Sequence, residues 1–198
     1  MPARIAAAAV FCGSRFGNRP AYKKAAEAMG AGLAQANIHL VYGGGDVGLM
    51  GTVADAAIHA GGRVTGIIPE FLKAREVMHR GVTELVVTDS MHTRKQKMFA
   101  LADAFLILPG GFGTFDELME ILTWRQLKLH DKPIIVVNVE NWARSLIAML
   151  NDAVEEGFAS PEARSLVQIV PDVASALECL AASTRTVVEH EECVTRKL

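Results

Sequence analysis

Cysteine is scarce in this sequence: Cys12, Cys179 and Cys193 are the only three, widely spaced and without a C-x-x-C pair. An odd, scattered set supplies neither a disulfide framework nor a tetrahedral zinc site, and a reduced cytoplasmic protein is the expectation. Charge of one sign is missing too. Lys plus Arg number 20 against 22 for Asp plus Glu, a formal charge of −2. The broad basic field of a nucleic-acid binder is absent, so no nucleic acid is expected as a partner. No apolar run approaches the roughly 18 residues of a membrane span, and no membrane partner is expected. Residues 1–11 run straight into CGSRFG rather than an A-x-A cleavage site, which reads as a buried first strand and not a leader. Several enzyme frames are also lacking. There is no G-x-x-x-x-G-K-[ST], no G-x-S-x-G around Ser14, and no H-E-x-x-H around His92.

What is there is a 198-residue chain, 51% hydrophobic and 21% charged. That is enough for one α/β domain with a full core, and it excludes disorder by composition. Short apolar, β-rich runs recur at 4–11, 38–42, 63–68, 84–88, 104–108, 133–138 and 166–170. Helical patterns fill the gaps at 20–36, 48–60, 91–102, 114–128, 141–156 and 172–182. Strands apolar almost throughout are covered on both faces. The pattern predicts a single-domain, Rossmann-like, doubly wound parallel sheet with helices on both faces. The domain is expected over 1–182, followed by a polar tail over 183–198, either frayed or an interface arm. Right-handed crossovers put every strand-to-helix turn on one edge of such a sheet, and ligands bind there.

Two of those turns are rich in glycine. Gly43-Gly44-Gly45-Asp46-Val47-Gly48 is a formal G-x-G-x-x-G, with Glu70 about 20 residues on. It follows the second strand rather than the first, so a ligand loop and a tight packing turn are both open. The turn over 109–117, PGGFGTFDE, can wrap an anion, with Thr114 as helix cap and hydroxyl donor. Glu117, three residues later, is either the partner in a capping box or a catalytic carboxylate. Glu120 is a second carboxylate or a solvated charge. Before it lies MHTRKQK, capped by Ser90, which puts Arg94 and Lys95 near a helix amino end. Cations there oppose the helix dipole, which points to a bound phosphate or to a solvated basic patch. His92 reads as structural. The spacing favours a site for a monophosphate ester with a carboxylate close by.

MHTRKQKM, PGGFGTFDE and TWRQLKLHDKP, with CGSRFG, GGGDVGLMG and IIPEFL, resemble the LONELY GUY (LOG) family of cytokinin-activating phosphoribohydrolases. The resemblance runs from about residue 4 to residue 182. It implies hydrolysis of the N-glycosidic bond of cytokinin nucleoside 5′-monophosphates, giving free base and ribose 5-phosphate. A general AMP nucleosidase, or a nucleotide-binding module without turnover, are the alternatives. Arg94 and Glu117 would be the catalytic pair. Glu76, Lys95, Thr123 and the loop of Gly111, Phe112, Gly113 and Thr114 would contact the nucleotide. Ser14, Gly44, Gly45, Met91, Gly110 and Glu120 complete the expected substrate-binding set. No metal and no cofactor are implied. Related proteins were often labelled lysine decarboxylases, but no Schiff-base lysine site for pyridoxal phosphate is evident. Arg15 stands where a second serine is common in the family, and Lys128 where glycine is usual. The family is homodimeric, with sites near the interface. Met119, Leu122, Trp124 and Leu127 give helix 114–128 a wide apolar girth, expected to be covered by a symmetry mate or within its own subunit.

A ribosyl C–N cleavage builds positive charge on the sugar. A carboxylate at Glu117 suits that charge and the activation of water, while glycine-loop amides anchor the phosphate remotely.

Overall fold

The computed structural model describes residues 3–73 and 77–185. The first apolar run divides in two. Ala3–Arg4 (β1) pairs antiparallel with Thr184–Arg185 (β9), and Ala7–Phe11 (β2) enters the main sheet. The break has a local cause: the Asp103 carboxylate accepts the N–H groups of Ala6 and Ala7 at 2.9 and 3.1 Å. Of the tail expected over 183–198, residues 186–198 lie outside the described residues.

The other six runs each form one strand: β3 (His39–Tyr42), β4 (Val64–Pro69), β5 (Glu84–Thr88), β6 (Ala104–Ile107), β7 (Ile134–Val137) and β8 (Val167–Val170). With β2 they make a seven-stranded parallel sheet in the order β5-β4-β3-β2-β6-β7-β8. Period-two alternation sends Ala8 and Val10 to one face and Ala7, Ala9 and Phe11 to the other. Helices α1 (Pro20–Gln35), α2 (Gly48–His59) and α7 (Val173–Ala182) cover the first face. The second is covered by α3 (Met91–Leu101), α4 (Phe112–Gln126) and α5 (Arg144–Glu155). This is the doubly wound fold expected. Each large side chain sealed between sheet and helix, such as Met29, Phe105 or Leu106, contributes about 1.5–3 kcal/mol of transfer free energy. A four-residue helix, α6 (Pro161–Arg164), capped by Ser160, is too short to show as a period in the sequence.

Helix α4 corrects one expectation. It opens two residues early, at Phe112, with Gly111 in the extended cap position, so Thr114 is not the cap. A capping box needs its threonine at the cap, so Glu117 is not part of one. The girth of α4 is also explained within the subunit at two positions. Leu122 and Trp124 are buried, Trp124 edge-on to Phe99 at 4.9 Å between centroids. Leu127 stays exposed.

The sheet grows outward from β2 in both directions, so the order switches between β2 and β6. Their carboxyl ends carry residues 12–19 and 109–114.

Candidate active site

Gly13 ties this crevice together. Its N–H donates to the Pro109 carbonyl at 3.0 Å, and its own carbonyl accepts from Leu49 and Met50 at 3.0 and 3.3 Å. The amino end of α2 thus spends its first N–H groups on protein. Gly48, at φ +62, lies so close to the Ser14–Arg15 backbone that a side chain would collide with it. At Gly48 the first glycine turn is therefore held by close packing. Gly44 and Gly45 are buried; Gly44 accepts the His79 N–H at 3.1 Å, and Gly45 bridges Met78.

The second glycine turn faces a cavity of about 580 Å³, bordered by Ser14, Arg15, Tyr22, Gly110, Gly111 and Phe112 among others. Thr114 is buried and its hydroxyl abuts Gly110, leaving no room for a Cβ there. Trp142 enters from the turn after β7 and donates its Nε1–H to the Gly110 carbonyl at 3.3 Å. Phe115 stacks on the Trp142 ring at 5.7 Å. The first-turn N–H groups of α4 have no acceptor within the helix and carry its positive dipole end, which suits an anion.

Arg94 and Lys95 have separate surroundings. Arg94 is 5% exposed. Its Nε donates to the Ile67 carbonyl at 3.0 Å, its Nη2 to the Gly43 carbonyl at 2.9 Å, and its Nη1 points to the Met91 sulfur at 3.7 Å. A solvated basic patch is excluded for it. Lys95 lies 3.1 Å from both Asp116 and Glu120 of α4. Burial pulls its pKa down, but hydrogen bonds and charge from those two acids outweigh this and hold it above the ordinary lysine value. The acids of α4 thus account for a cation near the amino end of α3, and Ser90 caps that helix as expected, accepting the Thr93 N–H at 3.1 Å.

Glu117 lies one turn into α4 and is half-buried. Burial raises the Cys12 thiol pKa well above its usual range, and the Glu117 charge adds to that rise. The carboxylate therefore lies within electrostatic reach of Cys12, at the end of β2. Ser14, Gly110, Gly111 and Phe112 border the cavity; Met91, Arg94, Lys95, Glu117 and Glu120 lie on the α3 and α4 side. Gly113 is exposed beside the cradle. Thr123, also exposed, sits six residues beyond Glu117, about 9 Å along the helix. Glu76 lies outside the described residues. Trp142 and the Gly13 peptide are the contributors that motif reading missed. In the sequence Trp142 falls inside the helical pattern 141–156, whereas the structure opens α5 only at Arg144 and leaves Trp142 on the strand-to-helix turn.

Among the described residues, Asp46, Asp55 and His79 bring ligand-type atoms within 4.8 Å of one another. The imidazole argues against a metal there. Its Nδ1 accepts from the Gly81 N–H at 3.1 Å, so Nε2 carries the proton and donates toward Asp55 at 3.2 Å. A metal-bound histidine has the opposite arrangement, with its second nitrogen donating.

Residues 50–180 match the family model described as "Possible lysine decarboxylase". The chain is 45% identical over 188 residues to the cytokinin riboside 5′-monophosphate phosphoribohydrolase LOG1 of Arabidopsis thaliana, covering 95% of this chain and 87% of that one. To the cytokinin riboside 5′-monophosphate phosphoribohydrolase of Rhodococcoides fascians it is 45% identical over 172 residues, with 86% and 87% covered. Among solved structures, the molybdenum cofactor binding protein of Rippkaea orientalis superposes with a TM-score of 0.68 at 22% identity, over 90% of this chain and 97% of that one. That likeness concerns the fold alone.

Proposed function

The chain belongs to the LOG family of phosphoribohydrolases, and from that premise we propose that it hydrolyses cytokinin nucleoside 5′-monophosphates to free base and ribose 5-phosphate. The observation that carries the reading is the placement of Glu117: one helical turn beyond an anion cradle, at the sheet's switch point. A 5′-phosphate seated on the first N–H groups of α4, beside Thr114, puts the ribose toward Glu117. Glu117 then stabilises positive charge developing at C1′ and takes a proton from the attacking water. The C1′–N bond breaks as the water oxygen bonds to C1′, and the proton that Glu117 removed from the water is passed on to the departing base. Arg94 is the cationic member of the pair and, by family similarity, contacts ribose or phosphate oxygens. Phe112, Lys95, Glu120, Met91, Ser14, Gly44, Gly45, Glu76 and Thr123 fill the remaining nucleotide-binding roles by family similarity.

Residues 1–182 form the functional unit in this reading, in a cytoplasmic homodimer. Incubation with AMP, with N6-isopentenyl-AMP and with both nucleosides tests it, by quantifying free base and ribose 5-phosphate. Base release from the isopentenyl nucleotide in preference to AMP, and from neither nucleoside, is expected. Equal turnover of AMP would make the enzyme a general nucleosidase. No release from any 5′-monophosphate would overturn the enzymatic reading.

A further inference from the structure

The Asp46–Asp55–His79 group is not explained by metal binding, and it lies outside the cradle. Its position suggests another task. The turn 43–46 is stitched to the segment 77–81 by backbone: Asp46 N–H to the Val77 carbonyl at 2.8 Å, His79 N–H to the Gly44 carbonyl at 3.1 Å, and the Gly45–Met78 bridge between them. The His79 ring, 7% exposed, extends this stitching to α2. Its Nε2–H lies 3.2 Å from Asp55, on α2, and 3.6 Å from Asp46, on the turn itself. Its Nδ1 accepts from Gly81, closing the segment on the other side.

One residue before Gly44, the Gly43 carbonyl receives the Arg94 guanidinium at 2.9 Å. A Cβ at Gly43 would collide with that guanidinium, so backbone and side chain are in direct contact. The other fixed acceptor of Arg94, the Ile67 carbonyl, belongs to β4, a rigid strand. Of these two carbonyls, only Gly43 lies on a turn, the one stitched to the segment that carries His79.

We propose that His79 is a positioning residue for Arg94: by clamping the 43–46 turn to α2 through Asp46 and Asp55, it fixes the carbonyl that aims the guanidinium. This rests on the catalytic role of Arg94 proposed above. Misplacing a catalytic group by an ångström costs up to about 10²-fold in rate while leaving remote binding intact. The phosphate cradle on α4 is built without this turn, so the loss belongs in kcat rather than KM.

The test compares His79→Ala, His79→Gln and Asp55→Ala in the full chain. Glutamine can replace the Nε2 donor to Asp55 but not the Nδ1 acceptor. Steady-state kinetics on the 5′-monophosphate, hydrogen exchange of the 44–46 amides and the rate of Arg94 modification by phenylglyoxal are measured for each. His79→Ala and Asp55→Ala are expected to lower kcat about 10-fold or more, with KM within about 2-fold. They should also speed exchange at 44–46 and the modification of Arg94, and His79→Gln should restore most of each. Should His79→Ala fail to fold, Asp55→Ala and His79→Gln decide. Wild-type kcat, exchange and Arg94 reactivity in folded His79→Ala or Asp55→Ala would overturn the proposal. So would a loss that glutamine does not rescue and that tracks only the folded fraction. Retained turnover in Arg94→Ala would instead defeat the catalytic reading, while exchange and arginine reactivity would still judge His79.

Discussion

Trp142, after β7, and Gly110, after β6, are joined beside the switch point by a hydrogen bond, indole Nε1–H to carbonyl at 3.3 Å. The bond fixes the peptide that precedes the α4 cap, and Phe115 stacks on the same indole. In Trp142→Phe the stacking persists and the donor is lost. A net hydrogen bond contributes about 1 kcal/mol. Denaturant unfolding should show a loss of that order, and KM for the 5′-monophosphate should rise about 3- to 10-fold. An unchanged KM would detach Trp142 from the cradle.

Glu117→Gln should keep the fold and lose about 10²-fold or more in kcat, since it removes one charge interaction made in the transition state. Glu120→Gln should be milder, because Lys95 retains Asp116 as a partner at 3.1 Å. Thermal unfolding alongside turnover separates the two effects. Near wild-type turnover in Glu117→Gln would remove its catalytic role.

Gly110→Ala and Gly113→Ala form a matched pair. A Cβ at Gly110 would meet the Thr114 side chain and the Gly13 amide, whereas one at Gly113 meets nothing within 4 Å. Overpacking of this kind costs about 1–3 kcal/mol. The first variant should lose most of its kcat/KM, and the second should stay within about 3-fold of wild type. Equal effects would mean that contact at Gly110 does not shape the cradle.

His130 makes stability depend on pH. Burial pushes its pKa down to about 4, with the positive charges of Lys132 and Arg125 acting in the same direction and the Ile121 carbonyl and Asp131 opposing. Its Nε2–H donates to the Ile121 carbonyl at 2.9 Å, and its Nδ1 accepts the Lys132 N–H at 3.1 Å, so the neutral ring is fully used. The unfolded chain binds a proton below about pH 6.5 that the folded chain refuses until about pH 4. Stability from this group therefore falls as the pH drops through that window. Urea unfolding should show a loss on the order of 1–2 kcal/mol between pH 7 and 5. His130→Gln should flatten that slope; an unchanged slope would assign it elsewhere.

The seven strands were legible because strands covered on both faces must be apolar throughout, and the glycine turn with Glu117 was legible because its spacing is dense and local. Contacts that join distant residues were not. Whether Gly43–Gly48 holds a ligand or packs depends on the approach of Gly48 to Ser14, which no local pattern encodes. The placement of Lys95 in α3 looks like an electrostatic error until Asp116 and Glu120 appear across from it. Thr114 was misread as a cap because glycine at 111 takes that position equally well. Leu122 and Trp124 were assigned to a second buried side that α3 already provides.

Apolar surface remains on this side, with Leu101 of α3, Phe112 at the start of α4 and Met149 of α5 exposed. Leu127 is 64% exposed and Phe158 is 87% exposed, with Gln126 and Lys128 beside Phe158 on one cavity wall. Light scattering should give a mass near twice 21.3 kDa, and Phe158→Asp should shift the protein toward monomer with falling activity. A fully active monomer at nanomolar concentration would refute the homodimer and its link to the site.

The hydrogen bonds of Gly13 have a thermodynamic consequence. Its amide is bound to the turn before α4, and its carbonyl to the first residues of α2, helices that pack on opposite faces of the sheet. One residue, with its amide in one peptide plane and its carbonyl in the next, thus couples their fluctuations. A ligand that orders the 109–114 turn lowers the population of states in which α2 is frayed, although the Leu49 and Met50 amides of α2 are already bound to Gly13. Binding energy gained on one face is then stored partly as order on the other.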